Sequence, residues 1–315
     1  MKKFYLYLIA LFFAPALLAQ DTGSGLDFLN IGPSARLLSI SEASTAVLTG
    51  PSAIYTNPSL LALEEQSGLD ASYTLWVSGV NNQFAAVNFV RNRSAIAFGV
   101  YNSRADGFEA RDIPGPSAGD FSIGYLSLSA AGAYKFGPVS FGVSAQYLRE
   151  EVFQFRANGY AITAGITAEF LNRRVRAAAA VKNLGEMESL DLESTLLPAT
   201  FNIGTAIKMI DFVTPGVNDL PVLLSLYLDY SLPLEENPTS DFIERDPNEG
   251  FFSFALNADI GELFFLQAGY RIGPTERPVS FGLGMQIDPI RVNYALVPFS
   301  TGFGTVHSFG IQYVF

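Results

Sequence analysis

From Leu69 to Phe315 the chain alternates apolar and polar residues with a period of two, in runs of about ten residues. Leu69, Ala71, Tyr73, Leu75 and Val77 share one face, against Asp70, Ser72, Thr74 and Ser78 on the other. Val222, Leu224, Leu226 and Leu228 oppose Ser225 and Asp229. Phe252, Phe254, Leu256, Ala258 and Ile260 oppose Ser253, Asn257 and Asp259. Val279, Phe281, Leu283, Met285 and Ile287 oppose Ser280, Gly282, Gly284, Gln286 and Asp288. Strands in soluble sandwiches are usually about five or six residues long. Ten alternating residues match a strand that crosses a bilayer, apolar side to lipid and polar or small side to the lumen. No apolar run of about 18 residues follows the N-terminus, which argues against transmembrane helices. A closed barrel is then the way to satisfy every backbone polar group in lipid. Composition agrees: 16% of residues are charged, against about a quarter in soluble domains.

Counting the runs predicts an all-β fold, a transmembrane antiparallel β-barrel of about 14 strands. They are expected near 68–79, 82–91, 94–103, 120–136, 138–150, 156–171, 173–183, 197–210, 219–232, 248–260, 262–273, 277–288, 290–298 and 304–315. The connections give a second, independent signal. Those centred on Asn92, Gly137, Asn172, Gly261 and Pro289 are tight, and Asp211–Asp219 is the longer exception. The alternate set holds the long loops, 104–119, 185–196 and 232–249. Bacterial barrels have short periplasmic turns and longer extracellular loops, so this parity places the start of the barrel in the periplasm.

The two termini fit export and assembly. Lys2 and Lys3, the apolar stretch Phe4 to Ala14, and Pro15 to Ala19 have the layout of a secretory signal peptide. Cleavage is expected after Ala19, with residues 1–19 removed. At the other end, Phe309, Ile311, Tyr313 and Phe315 fall on one face of the last strand. An aromatic final residue preceded by alternating apolar residues is similar to the signal read by the outer-membrane barrel assembly machinery. The expected partners are therefore that machinery and outer-membrane lipid, and the expected location is the bacterial outer membrane.

Residues 20–67 lack the barrel pattern and read as an N-terminal plug segment, leaving 68–315 for the barrel. A lumen ringed by fourteen strands is wide enough to need water, loops or a plug. The plug contains Phe28-Leu29-Asn30-Ile31-Gly32-Pro33-Ser34-Ala35-Arg36 and, further on, Ala53-Ile54-Tyr55-Thr56-Asn57-Pro58-Ser59-Leu60-Leu61-Ala62. In the barrel, Lys182-Asn183-Leu184-Gly185 precedes Leu197-Pro198-Ala199-Thr200-Phe201-Asn202-Ile203-Gly204. Taken in this order, the segments resemble the PorV/PorQ family of type IX secretion outer-membrane proteins. The resemblance implies a FadL-like barrel with fourteen strands and an N-terminal plug. Where that family carries a Gly-rich stretch after the Ala-Arg, this chain has Leu37-Leu38-Ser39-Ile40-Ser41-Glu42-Ala43.

Several residue types define what chemistry is open to the chain. It has no cysteine and one histidine, which removes thiolate sites and clustered imidazole metal sites. No cofactor is expected. The net charge of −11 argues against a nucleic-acid partner. His307 lies on the same side of its strand as Phe309 and Ile311, which argues against a catalytic role. Asp241, Glu244, Asp246 and Glu249 read as a solvated acidic loop rather than a Ca²⁺ site. Gly282 and Gly284 read as relief of crowding on the lumen face. Arg36 lies in an otherwise apolar segment placed inside the barrel. A buried ion needs a partner, so Arg36 is expected to pair with a carboxylate or plug carbonyls and anchor the plug. Asn57 and Pro58 are expected to fix the turn where the plug leaves for the first strand. Tyr101, Tyr134, Tyr147, Tyr160, Tyr270 and Tyr294 are candidates for interfacial girdles, mixed with ordinary strand formers.

Two functions follow. The resemblance implies a component of type IX secretion that binds the C-terminal domains of secreted cargo, or helps place cargo on the surface. The alternative is a FadL-like channel for hydrophobic small molecules. No catalytic set stands out, so an enzyme is the weakest reading.

Overall fold

The computed structural model describes residues 26–110, 119–190, 193–194, 197–214, 219–234, 250–273, 275–300 and 302–315. The expected signal peptide and the acidic residues 241–249 lie outside them. Fourteen antiparallel strands form one closed barrel. They are β1 Gly68–Leu75, β2 Val80–Arg91, β3 Ser94–Ala110, β4 Gly119–Phe136, β5 Val139–Val152, β6 Phe155–Phe170 and β7 Val175–Met187. Then follow β8 Thr200–Val213, β9 Pro221–Pro233, β10 Phe251–Ile260, β11 Phe264–Ile272, β12 Val279–Ile287, β13 Ile290–Pro298 and β14 Thr305–Val314. Each predicted strand corresponds to one of these. A two-residue hairpin, Ser189–Leu190 with Glu193–Ser194, lies in the β7–β8 loop.

Each strand pairs with its sequence neighbours. Closure comes from β14 on β1, with Leu69 opposite Tyr313 and Leu75 opposite His307. The Phe315 N–H donates to the Ser67 carbonyl at 2.9 Å and fastens the seam. The alternation sets the faces. In β1, Leu69, Tyr73 and Leu75 are exposed while Asp70, Ser72 and Thr74 are buried. In β9, Ser225 and Asp229 face inward as read. Val222 departs from its set and is buried, beyond the register shift between Lys208 and Ile210 of the neighbouring strand. The outward band of Phe98, Leu128, Phe141, Leu256, Leu283 and Ile311 is half exposed. An apolar surface of this extent has lipid as its natural partner.

The short-turn end is built from tight hairpins. Asn92 and Gly137 hold φ of 57° and 59°, the left-handed region that two-residue hairpin turns require. At the opposite end the strands run further than the alternation indicates. The loop expected from residue 104 is strand up to Ala110, whose ladder extends to Ala110 opposite Gly119. Beyond the lipid a paired strand needs no apolar face, so Arg104 and Glu109 continue the ladder without the pattern, on either side of a register shift between Ala105 and Phe108.

Residues 26–63 pack into the lumen, and 64–67 lead out to β1. Phe28 packs on Tyr101 and Tyr125 toward the long-loop end. A short helix, α1 (Ala35–Ser39), follows, capped by the Ser34 hydroxyl accepting from the Leu37 N–H. Two 3₁₀ helices, Gly50–Tyr55 and Pro58–Leu63, lead to β1. Leu37, Leu38, Ile40, Ile54, Leu60 and Leu61 are fully buried. They are the large apolar side chains of a core whose other wall is small inward residues such as Ala95, Ala97, Ala157 and Ala161. A plug of large residues against a lining of small ones is how a barrel this wide is filled.

Candidate functional site

The contact between plug and wall is the most elaborated polar feature of the molecule. Asn57 is fully buried and caps the 3₁₀ helix Pro58–Leu63, accepting from the Ser59 N–H at 3.1 Å. Its amide donates to the Thr45 carbonyl at 2.8 Å and to Thr167 Oγ1 of β6 at 3.1 Å. Pro58 takes the first helical position, where its missing N–H costs nothing. Ser140 of β5 donates to the Ser59 carbonyl. Asp229 of β9 accepts from the Thr45 N–H at 2.8 Å, and Ser280 of β12 accepts from the Ser41 N–H at 2.8 Å. Each barrel group is an inward residue of an alternating strand, so the polar face of the sequence becomes the seat of the plug.

Glycines let the plug approach this closely. A Cβ on Gly142 would stand 2.3 Å from the Pro58 carbonyl carbon, and one on Gly282 2.3 Å from the Ser39 Cβ. The crowding read at Gly282 is therefore with the plug itself. Gly284 has wider clearance, its nearest neighbour being Asn293 Oδ1 at 3.0 Å.

The ionic clamp is Glu42, not Arg36. Arg277 Nη1 donates to Glu42 Oε1 at 2.8 Å, the Gly32 N–H donates to the same oxygen at 2.8 Å, and Arg271 donates to Oε2. Arg271 Nη2 also donates to the Ser41 carbonyl at 3.0 Å. Burial by itself would raise the Glu42 carboxyl, but Arg277 and Arg271 outweigh it and hold it well below the usual carboxylate range. Ser41 and Glu42 have φ of 49° and 61°. The left-handed backbone is kept here without glycine, held by Ser280 and the two arginines.

This clamp borders a cavity of about 270 Å³ between plug and wall toward the long-loop end. Leu29, Ile31, Tyr55 and Phe251 give it apolar surface; Lys182, Asn202 and the clamp give it polar groups. Burial pushes the Tyr55 hydroxyl up to about 12.

The pairing expected of Arg36 is not found. No carboxylate lies within ion-pair distance of it among the described residues, and its Nε is buried without a hydrogen-bond partner. Glu64 and Asp70, the acids nearest in effect, are engaged by the Gly50 N–H at 2.7 Å and by Gln312 at 3.0 Å. Arg36 instead lines a second cavity, of about 220 Å³, toward the short-turn end.

The outer face carries the remaining candidates. Phe309, Ile311, Tyr313 and Phe315 are all about half exposed. His307 also points outward, its Nδ1 2.7 Å from the Tyr294 hydroxyl. Tyr134, Tyr160 and Tyr270 are exposed, as girdle residues would be. Tyr101 is a correction: it is 1% exposed and faces the lumen, in register with Ala95 and Ala97. It packs in an aromatic cluster with Phe28 and Tyr55 of the plug.

Comparison with known proteins places the architecture. No family model and no curated protein matches the chain. Among solved structures, the Pseudomonas putida toluene transporter TodX superposes with a TM-score of 0.56 at 12% identity, covering 95% of this chain and 99% of that one. A deltaS2S3 mutant of TodX, titled a monoaromatic hydrocarbon channel, gives 0.57 at 12% identity, covering 90% and 98%. The fold shared with these structures is a closed antiparallel β-barrel, here of fourteen strands. At this identity the likeness is one of fold.

Sequence reasoning singled out Arg36 and missed Glu42, Arg271 and Arg277. The signal was present: Glu42 is a charge in the same apolar segment, and Arg271 falls in the inward register of β11. What joins them is a contact across some 230 residues, |i−j| = 229 and 235, which no local pattern encodes.

Proposed function

We propose that this protein is an outer-membrane channel for small, largely apolar molecules, with the plug controlling passage. The observation that supports this best is the cavity of about 270 Å³ on the long-loop side of the plug. It joins apolar surface to a few fixed polar groups, the usual make-up of a small-molecule site. Plug residues such as Leu29, Ile31 and Tyr55 form one side of this cavity, so onward passage is expected to involve movement of the plug. The titles of the TodX structures name a hydrocarbon channel and a toluene transporter, which favours the same class of cargo.

The test is uptake of a labelled monoaromatic compound at low concentration by a deletion strain. Uptake should fall several-fold, return with the parent gene, and fail to return with Ala199→Trp, which fills the cavity. Unchanged uptake after deletion, with altered export of surface proteins, overturns the reading.

That second outcome belongs to the secretion reading, in which type IX components and cargo C-terminal domains are the partners. Its support is the PorV/PorQ-like sequence of the plug. In the fold those residues are occupied in plug seating: Asn57, Pro58 and Ser59 bond or pack against β5 and β6. The motif therefore speaks for a shared plug more than for a shared cargo.

A further inference from the structure

The cavity on the short-turn side of the plug gathers positive charge. Arg36 comes from α1, Arg176 from β7, Lys208 from β8 and Arg291 from β13; Asp259 of β10 lines it with them, and the Glu64 and Asp70 carboxylates lie within electrostatic reach of the arginines. Among the described residues none of the four cations is in an ion pair, although exposed pairs form readily elsewhere on the same rim, as with Arg174 and Asp211 at 2.9 Å. Arg36 Nε and Arg291 Nε are buried and lack hydrogen-bond partners. Arg176 spends one N–H on the plug carbonyl of Ala46 at 3.0 Å. The Arg291 guanidinium lies 3.5 Å over the Phe265 ring, which fixes its plane.

Unpartnered buried donors are costly, and no described carboxylate meets these cations within ion-pair distance, which leaves the guanidinium donors free for an anion. Guanidinium groups present planar, forked donors that match phosphate oxygens. The cavity also has a position that makes occupancy matter: one cation is on the plug and three are on the wall.

We propose that this cavity binds a phosphate group, as inorganic phosphate or a phosphomonoester, and that the bound anion fastens the plug to the barrel by bridging Arg36 to Arg176, Lys208 and Arg291. The inference stands apart from the identity of the transported molecule. Binding satisfies the orphaned Nε donors and places one shared acceptor between the plug cation and the wall cations. Release loosens α1 at its short-turn side while Glu42 still holds the other side.

The test uses the full mature chain in detergent. Inorganic phosphate is titrated calorimetrically against sodium chloride at matched ionic strength, and trypsin cleavage within residues 26–67 is followed in parallel. Saturable phosphate binding with several-fold slower plug cleavage is expected. Arg36→Gln and Arg291→Gln should each weaken binding at least tenfold; heat-modifiable gel mobility checks that they fold. Lys208→Gln, at the exposed mouth, should weaken binding several-fold with no folding burden. A short-chain phosphatidic acid forms the second arm: binding of it without binding of free phosphate keeps the site and assigns the group to a lipid headgroup. No response to either probe beyond chloride, or binding unmoved by all three substitutions, overturns the proposal.

Discussion

Glu42 of the plug and Arg277 of the barrel, 235 residues apart in sequence, meet at 2.8 Å with both side chains 15% exposed. Arg271 grips the other carboxylate oxygen. Removing the acid leaves two largely buried guanidiniums without their counter-charge, a loss on the order of 3 kcal/mol for a buried pair. Glu42→Gln is therefore expected to undock the plug around residue 42 while the barrel stays closed. Hydrogen exchange should show faster exchange at residues 32–45 with strand amides unchanged.

The same clamp sets a pH response. A carboxyl held low in the folded state contributes its full stabilisation above its ordinary value of 4.5, and loses it as pH falls toward the depressed folded value. The Glu42 contribution to plug protection, read as the difference between the parent and Glu42→Gln, should be constant from pH 8 to 5 and decline only below about pH 4.5. Glu42→Gln serves as the reference because its titrating group is gone. Protease protection measured across this range checks both limbs.

Gly142 faces the plug backbone, and a Cβ there would sit 2.3 Å from the Pro58 carbonyl carbon. Backbone cannot swing aside as a side-chain end can. Gly142→Val should cost roughly 1–3 kcal/mol of plug docking and raise single-channel conductance in planar bilayers. Valine suits a strand, so barrel yield should be unaffected.

Asn57 satisfies a helix cap, a plug carbonyl and a barrel hydroxyl at once. Asn57→Ala removes the cap and leaves buried partners unpaired, about 2–3 kcal/mol in all. Cleavage between residues 45 and 63 should accelerate by more than tenfold, and Asn57→Ser, which retains a capping oxygen, should restore part of the loss.

Phe315 projects outward beside Phe89, with ring centroids 6.1 Å apart, while its N–H closes the seam to Ser67. Phe315→Ala keeps that backbone bond and removes only the ring. If Phe309, Ile311, Tyr313 and Phe315 serve as an assembly signal, the heat-modifiable fraction in the outer membrane should drop several-fold. In vitro refolding into lipid should change little. Equal losses in both measurements would instead assign the ring a packing role.

The period-two alternation by itself determined the barrel. Because side chains on a strand point alternately to two solvents, lipid and lumen, each strand carries its own environment in its sequence. That is why the strand count, the turn parity and the outward seam of Phe309, Ile311 and Tyr313 were legible. The same rule, applied to Ala95, Ala97 and Tyr101, places Tyr101 inside. Strand ends beyond the lipid were not legible, since Arg104 to Ala110 keep the ladder without needing an apolar face.

The plug was legible only as a segment unlike the barrel. Its partners depend on which inward residues of distant strands face it, and the closure of the barrel decides that. Asn57 could be marked as a turn from its neighbour Pro58. Its bond to Thr167 could not, and neither could the choice of Glu42 over Arg36 as the clamp. A lone charge in an apolar segment shows that a partner is needed, but only the tertiary structure assigns it. Glu42 stands against Arg271 and Arg277, whereas Arg36 faces a chamber lined by Arg176, Lys208, Arg291 and Asp259 with no carboxylate in ion-pair reach among the described residues.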